Sequence, residues 1–222
     1  LLTDPVWSDR VSPFSWAGPR RMRPPGIAWE DLPDIDLVLI SHNHYDHLDI
    51  TTLLRLKAEH DPLMICPLGV SAFLKNKGIS NTVELDWWED RSFNEKIRIS
   101  CVQAQHFSGR GMFDRNKTLW SGYVINTPIG NVYFAGDTGY GDFFSRIGQE
   151  YGPIRLALLP IGAYIPRWFM SPIHISPEEA VRIHMDLDAE KSIGMHYGTF
   201  PLADDGMAQP VHDLEKAKEK NQ

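Results

Sequence analysis

Cysteine is scarce in this chain. Cys66 in "LMICP" and Cys101 in "IRISCVQA" are the only two, and no C-x-x-C pair exists. Both sit in apolar, strand-like runs and read as reduced core residues, which argues against a disulfide-stapled scaffold and fits a reducing compartment. Long apolar runs are missing too, since nothing approaches the roughly 20 residues of a membrane-spanning helix. Positive charge is in deficit, with 22 Lys and Arg against 29 Asp and Glu for a net charge of −7. That balance argues against a nucleic-acid partner held by broad basic attraction. It also mildly repels an anionic membrane, where only a local basic cluster could act. Repeats, low-complexity tracts and Ser/Gly linkers are absent, so residues 1–222 read as a single domain. An initiating methionine is lacking as well. "LLTDPVW" starts as if in mid-strand with no charged leader, and the expectation is that any signal or anchor lies upstream.

What is present has ordinary globular proportions, 42% hydrophobic and 23% charged. Short β-like runs alternate with helix-length segments. Residues 35–40, "LMIC", "TVELDWW", "KIRISCVQA", "LWSGYVINT", "NVYFAGDT", "IRLALLPIG" and "SIGMHYGTF" read as strands. The turn "TPIGN" joins two of them as a hairpin. "DITTLLRLKAEH", "GVSAFLKNKG" closed by Gly78, "DFFSRIGQEYG" and the polar "HDLEKAKEK" read as helices. "SPEEAVRIHMDL" carries the clearest start signal, with Ser176 as cap, Pro177 in the first turn and Glu179 completing a capping box. Residues 10–34, rich in Pro, Arg and Trp, form a long connection with little regular structure, of the kind that is functional or packed over something.

"SHNHYDHLD" (41–49) puts three histidines and two aspartates in nine positions, straight after the apolar "IDLVLI". In a loop leaving a strand, His42 and His44 can point one way, and the following turn sends Asp46 and His47 toward a neighbouring point. Two adjacent binding points suit two metals, because one tetrahedral ion rarely takes four ligands from six consecutive residues. Three more donors stand at strand ends: His106 after "ISCVQAQ", Asp137 after "VYFAG" and His196 after "SIGM". A carboxylate such as Asp137 can bridge two cations. Burying this many imidazoles and carboxylates without a cation would leave costly unsatisfied groups.

H-x-H-x-D-H followed by a separated His, an Asp and another His resembles the metallo-β-lactamase superfamily. "LTDPVWSDRVSP", "GPRR", "LISHNHYDHLD", "ELDWWE", "FAGDTGY", "LLPIGAYIPRWFMSPIHISPEEAV" and "HYGTF" further resemble the N-acyl-phosphatidylethanolamine-hydrolysing phospholipase D family. The resemblance runs from residue 2 to residue 200. It implies an α/β (α+β) fold, a four-layer αββα sandwich, here lacking N-terminal strands. It also implies one metal on His42, His44 and His106, a second on Asp46, His47 and His196, and Asp137 between them. True β-lactamases of the superfamily generally carry cysteine where this chain has Asp137, so "FAGDTG" argues against antibiotic hydrolysis.

The activity implied is hydrolysis of N-acyl-phosphatidylethanolamine to N-acylethanolamine and phosphatidic acid. Two cations about 3.5–4 Å apart would lower the pKa of a shared water toward about 7 for in-line attack on phosphorus. His/carboxylate ligands are typical of zinc, with two Zn2+ expected and iron or manganese as alternatives. Asp46 would also orient the hydroxide, and His174 would contact the phosphate or assist the leaving group. An apolar wall beside the metals is expected from the non-helical "AYIPRWFMSPIH", through Tyr164, Trp168, Phe169 and Met170, with Arg167 near the phosphate. Trp88 would line the path, and Arg110 would reach the head group. No chemistry is expected of His60, His184 or His212. The partners expected are a phospholipid, a peripheral membrane contact and, by resemblance, a second copy in a homodimer, with a cytoplasmic or membrane-peripheral location. Two alternatives stand beside this reading: the same metals acting on a lactone, thioester or other phosphodiester, and a metal-bound but idle scaffold.

Overall fold

A computed structural model describes residues 1–221. The chain divides into two compact units, one formed by Leu1–Asp86 with Phe107–Trp120, the other by Trp87–His106 with the residues from Ser121 onward.

The first unit carries a four-stranded parallel sheet. Its strands β1 (Leu2–Thr3), β2 (Leu37–Leu39), β3 (Leu63–Pro67) and β4 (Thr82–Leu85) lie in sequence order. Parallel strands covered on both faces read as unbroken apolar runs rather than alternating ones, which is why "LVL" of β2 is wholly buried. Helix α1 (Ile50–Glu59) is capped by Asp49, whose carboxylate accepts from Thr51 N, and it buries Thr52, Leu53 and Leu56 at helical spacing. Helix α2 (Val70–Asn76) buries Val70 and Leu74. It stops where Gly78 adopts φ +86° and donates to the Lys75 carbonyl. Val38, Ile40, Leu53, Leu56, Met64 and Leu74 form the shared core. Residues 10–34 hold only an isolated Arg10–Arg20 bridge and one 3-10 turn, Trp29–Asp31, as expected of a long connection.

The second unit carries a six-stranded mixed sheet of β5 (Asp90–Ser92), β6 (Arg98–Val102), β7 (Gly122–Asn126), β8 (Asn131–Phe134), β9 (Ile154–Pro160) and β10 (Ser192–Met195). Their spatial order is β10-β9-β8-β7-β6-β5. Strands β5 to β8 pair antiparallel, whereas β8, β9 and β10 run parallel. The β7–β8 hairpin closes at "TPIGN", where Gly130 takes φ +122° and donates to Thr127 O. Helix α3 (Phe143–Tyr151) buries Phe143, Phe144 and Ile147. After it come α4 (Arg167–Met170), α5 (Pro177–Asp186) and α6 (Gln209–Lys220). The capping box of α5 is formed: Ser176 Oγ accepts from Glu179 N at 3.2 Å, and the Glu179 carboxylate accepts from Ser176 N at 2.7 Å.

Two expectations of local structure are corrected. "AYIPRWFMSPIH" is not wholly non-helical, because Arg167–Met170 forms one helical turn. Pro166 begins it, where no N–H is needed, and its carbonyl accepts from Met170 N. "TVELDWW" ends as a strand at Leu85. Trp88 adopts φ +72°, and its N–H turns to the Cys101 carbonyl.

Candidate metal centre

In the first unit, the parallel pairing of β1 and β2 brings Asp4 and the residues after Leu39 to one sheet edge. The chain then turns tightly, with His47 N and Leu48 N both donating to His44 O. His42 and His47 are buried, their rings 4.2 Å apart. Asp4 holds them through three bonds. Its carboxylate accepts from Ser41 N at 2.7 Å, from Ser41 Oγ at 2.5 Å and from His47 Nδ1 at 2.6 Å. Ser41 Oγ in turn lies 2.8 Å from His42 Nδ1. With Nδ1 engaged in each ring, Nε2 is the nitrogen turned to chemistry. His47 Nε2 stands 3.2 Å from Asp46 Oδ2, and His42 Nε2 stands 2.8 Å from His44 Nδ1.

A third tie comes from the 107–120 segment. Arg110 Nη1 donates to Asn43 O and Leu48 O, each at 2.8 Å, and its guanidinium stacks 3.8 Å over the Tyr45 ring. Gly109 N donates to Asn43 Oδ1, and Asp114 accepts from the Gly111 and Arg110 N–H groups. Burial presses the Arg110 guanidinium below its ordinary pKa. Arg110 therefore has a role the sequence did not suggest, that of tying down the histidine-bearing loop.

In the second unit, β6, β8 and β10 all run the same way, so residues just beyond their C-terminal ends gather at one edge. His106, Asp137 and His196 stand there. Asp137 offers Oδ1 at 3.3 Å from His196 Nε2 and Oδ2 at 3.8 Å from His106 Nε2. His174 Nδ1 is 3.9 Å from the same Oδ2, and the His174 ring stacks toward His196 with centroids 5.7 Å apart. His106 Nδ1 donates to Ile173 O at 2.8 Å, which fixes its tautomer and turns Nε2 toward Asp137.

These donor sets fit divalent cations. Two ligands about 2.0–2.1 Å from one tetrahedral ion stand roughly 3.3 Å apart. The Asp46–His47 and Asp137–His196 separations of 3.2 and 3.3 Å match that spacing. Hard carboxylate and borderline imidazole donors suit zinc, iron or manganese. Sequence reasoning missed Asp4 and Ser41. "LTDP" ending one strand and a serine directly before the first histidine were the available signals.

The residues expected to meet substrate divide by exposure. Tyr164 is buried, and its hydroxyl donates to Asp213 Oδ2 at 2.6 Å; burial and that bond push the phenol well above its ordinary range. Met170 is also buried. Arg167 pairs with Glu179 at 2.8 Å and donates to His174 O. Trp88 is half-buried beneath the Arg146 guanidinium, 3.5 Å from its ring. Trp168 and Phe169 are 82% and 58% exposed, with rings 5.6 Å apart. His60 lies near Asp34 and His184 near Ser192, apart from the ligand clusters.

A family model described as "Beta-lactamase superfamily domain" matches residues 1–197. The chain belongs to that family. Two curated relatives stand nearby. "N-acyl-phosphatidylethanolamine-hydrolyzing phospholipase D 1" of Caenorhabditis elegans is 47% identical over 91% of this chain and 60% of its own length. The corresponding protein of Saccharomyces cerevisiae, named as mitochondrial, is 39% identical over 99% of this chain and 48% of its own. The chain thus spans about half to three-fifths of these relatives. Among solved structures, Igni18, described as a metallo hydrolase of Ignicoccus hospitalis, superposes with a TM-score of 0.67 at 25% identity, covering 87% of this chain and 78% of that one. The metallo-β-lactamase fold expected from the motifs is the fold of this chain, a mixed α/β architecture with two sheets. Among the described residues no helix is long and apolar enough to cross a membrane.

Proposed function

We propose that this chain is the catalytic core of a dinuclear metal-dependent hydrolase. It cleaves the phosphodiester bond of N-acyl-phosphatidylethanolamine to give N-acylethanolamine and phosphatidic acid. Kinship to two phospholipases of that name supports the substrate, and the observation that carries the chemistry is Asp137. One buried carboxylate turns one oxygen toward His196 and the other toward His106, the posture of a bridging ligand. His42, His44 and His106 are assigned to one cation, Asp46, His47 and His196 to the other, and Asp137 to both. Zinc is the expected metal, with iron or manganese as alternatives. When bound, such a pair supplies an activated water and neutralises charge on the phosphoryl oxygens.

The protein's own groups do the rest. Asp4 and Ser41 fix the rings of His47 and His42, and the Ile173 carbonyl fixes His106, so each imidazole presents Nε2 without reorganisation. Asp46 orients the attacking oxygen. His174 is buried beside Asp137, its backbone carbonyl held by Arg167, and serves to hydrogen-bond a phosphoryl oxygen or protonate the departing alcohol. The exposed pair Trp168 and Phe169 offers an apolar rest for acyl chains or for a membrane surface. The two units are read as one catalytic domain, because the first is made of two segments separated in sequence by strands of the second.

Elemental analysis and turnover together test this reading. Two metal equivalents per chain are expected, with turnover of N-acyl-phosphatidylethanolamine and, more slowly, of an aryl phosphodiester. Turnover of a lactone or thioester alone would replace the substrate assignment. Full metal content with no turnover of any substrate would reduce the chain to a scaffold.

A further inference from the structure

The segment 163–174 carries Trp168, Phe169 and His174, and its first three residues are held in an unusual way. Ala163 sits at φ +58°, a left-handed conformation that is unfavourable for a non-glycine residue. That geometry aims two successive N–H groups at one point, an anion-binding nest. The Asp205 carboxylate fills it: Oδ2 accepts from Ala163 N at 3.0 Å and Oδ1 from Tyr164 N at 3.1 Å. Two more bonds reach the same place from the same stretch. Asp204 N donates to Ile165 O at 3.2 Å, and the Tyr164 hydroxyl donates to Asp213 on α6. Helix α6 buries Pro210 and Ala217 and packs Leu214 on the core, and the Tyr164–Asp213 bond ties it to 163–165. At the other end of the segment the anchors are different, with Arg167 on Glu179 and Ile175 N on Thr138 O. Turn α4 between the two sets is itself held together by Met170 N on Pro166 O and by the buried Met170 side chain, so the direction in which it presents Trp168 and Phe169 follows from the anchors on either side of it.

We propose that Asp205, with Asp213 behind Tyr164, is a positioning residue that sets the direction of the Trp168–Phe169 turn and so selects a long-chain acylated diester over a small one. The selectivity part rests on the lipid phosphodiesterase reading above; the positioning part does not. Neither carboxylate touches the reacting atoms.

The test uses the metal-loaded chain and three variants, Asp205→Ala, Asp205→Glu and the milder Tyr164→Phe. Amide hydrogen exchange at residues 163–165 should accelerate at least ~100-fold in Asp205→Ala, the effect expected of losing two charge-assisted bonds, and less in Tyr164→Phe. KM for N-acyl-phosphatidylethanolamine in mixed micelles should rise about 10-fold in Asp205→Ala. The kcat/KM for bis(4-nitrophenyl) phosphate should stay within about twofold. Asp205→Glu should recover part of the loss. Unchanged exchange at 163–165 overturns the positioning role. An equal fall on both substrates overturns the selectivity, since it signals general damage. Should the parent chain turn over neither substrate, the functional reading fails, while the exchange result still decides whether Asp205 holds the segment. If Asp205→Ala does not fold, Tyr164→Phe alone carries the same comparisons, and no change in exchange or in KM there counts against the proposal.

Discussion

Replacing Asp4 with Asn tests the assembly of the histidine cluster most directly. Three donors converge on the Asp4 carboxylate, and its side chain and that of His47 are only 8% and 5% exposed. Asparagine keeps an oxygen for Ser41 N but sets an amide NH2 against His47 Nδ1. The ring can then make a bond only by accepting at Nδ1, which moves its proton to Nε2, the nitrogen beside Asp46. A cation must displace that proton to bind. Loss of such a supporting partner typically weakens metal affinity 10–100-fold, or about 1.4–2.7 kcal/mol. Equilibrium competition with a chromogenic zinc chelator reads this directly, with circular dichroism confirming the fold. Asp9→Asn, on an exposed pair with Arg20 in the same segment, serves as the control and should bind as the parent does. If the Asp4 variant folds and binds zinc within about threefold of the parent, the tautomer argument is refuted.

Arg110→Lys should fail to replace the guanidinium, because a point ammonium cannot reproduce a planar donor that bonds Asn43 and Leu48 carbonyls while stacking on Tyr45. A loss of about 2 kcal/mol in urea unfolding is expected, and a loss below about 0.5 kcal/mol would deny the loop-tying role. Tyr133 is fully buried with a hydroxyl that makes no hydrogen bond among the described residues, so Tyr133→Phe should leave the urea midpoint unchanged or raise it; a clear fall would reveal a partner. The Gly111 and Arg110 N–H groups hold the Asp114 carboxyl below its usual range. Its contribution is therefore present above the unfolded value near about 3.9 and lost as pH falls through the lower folded value. The protection factors of amides 110–114 should fall on acidification below about pH 4, a dependence that Asp114→Asn should abolish. Removing metal with a chelator should lower Tm reversibly, by an amount that rises with the free metal concentration used for reloading; an unchanged Tm would argue against resident cations.

Local chemistry made much of this protein legible in advance. The apolar run ending at Ile40, the Ser176–Glu179 capping box, the "TPIGN" hairpin and Gly78 as a helix stop each depend on neighbours within a few residues. Their physical causes are therefore written in the string itself. The ligand-type residues were legible for the same reason, since imidazoles and carboxylates at strand ends carry their chemistry wherever they fold. Tertiary structure decided which partners such residues meet. Asp4 supports His47 across 43 positions, Arg110 is committed to loop carbonyls, and Tyr164 turns inward to Asp213 while its near neighbour Trp168 faces out. No periodicity encodes such pairings. They exist because parallel strands deliver distant residues to one edge and because buried polar groups must find partners wherever the packed chain provides them.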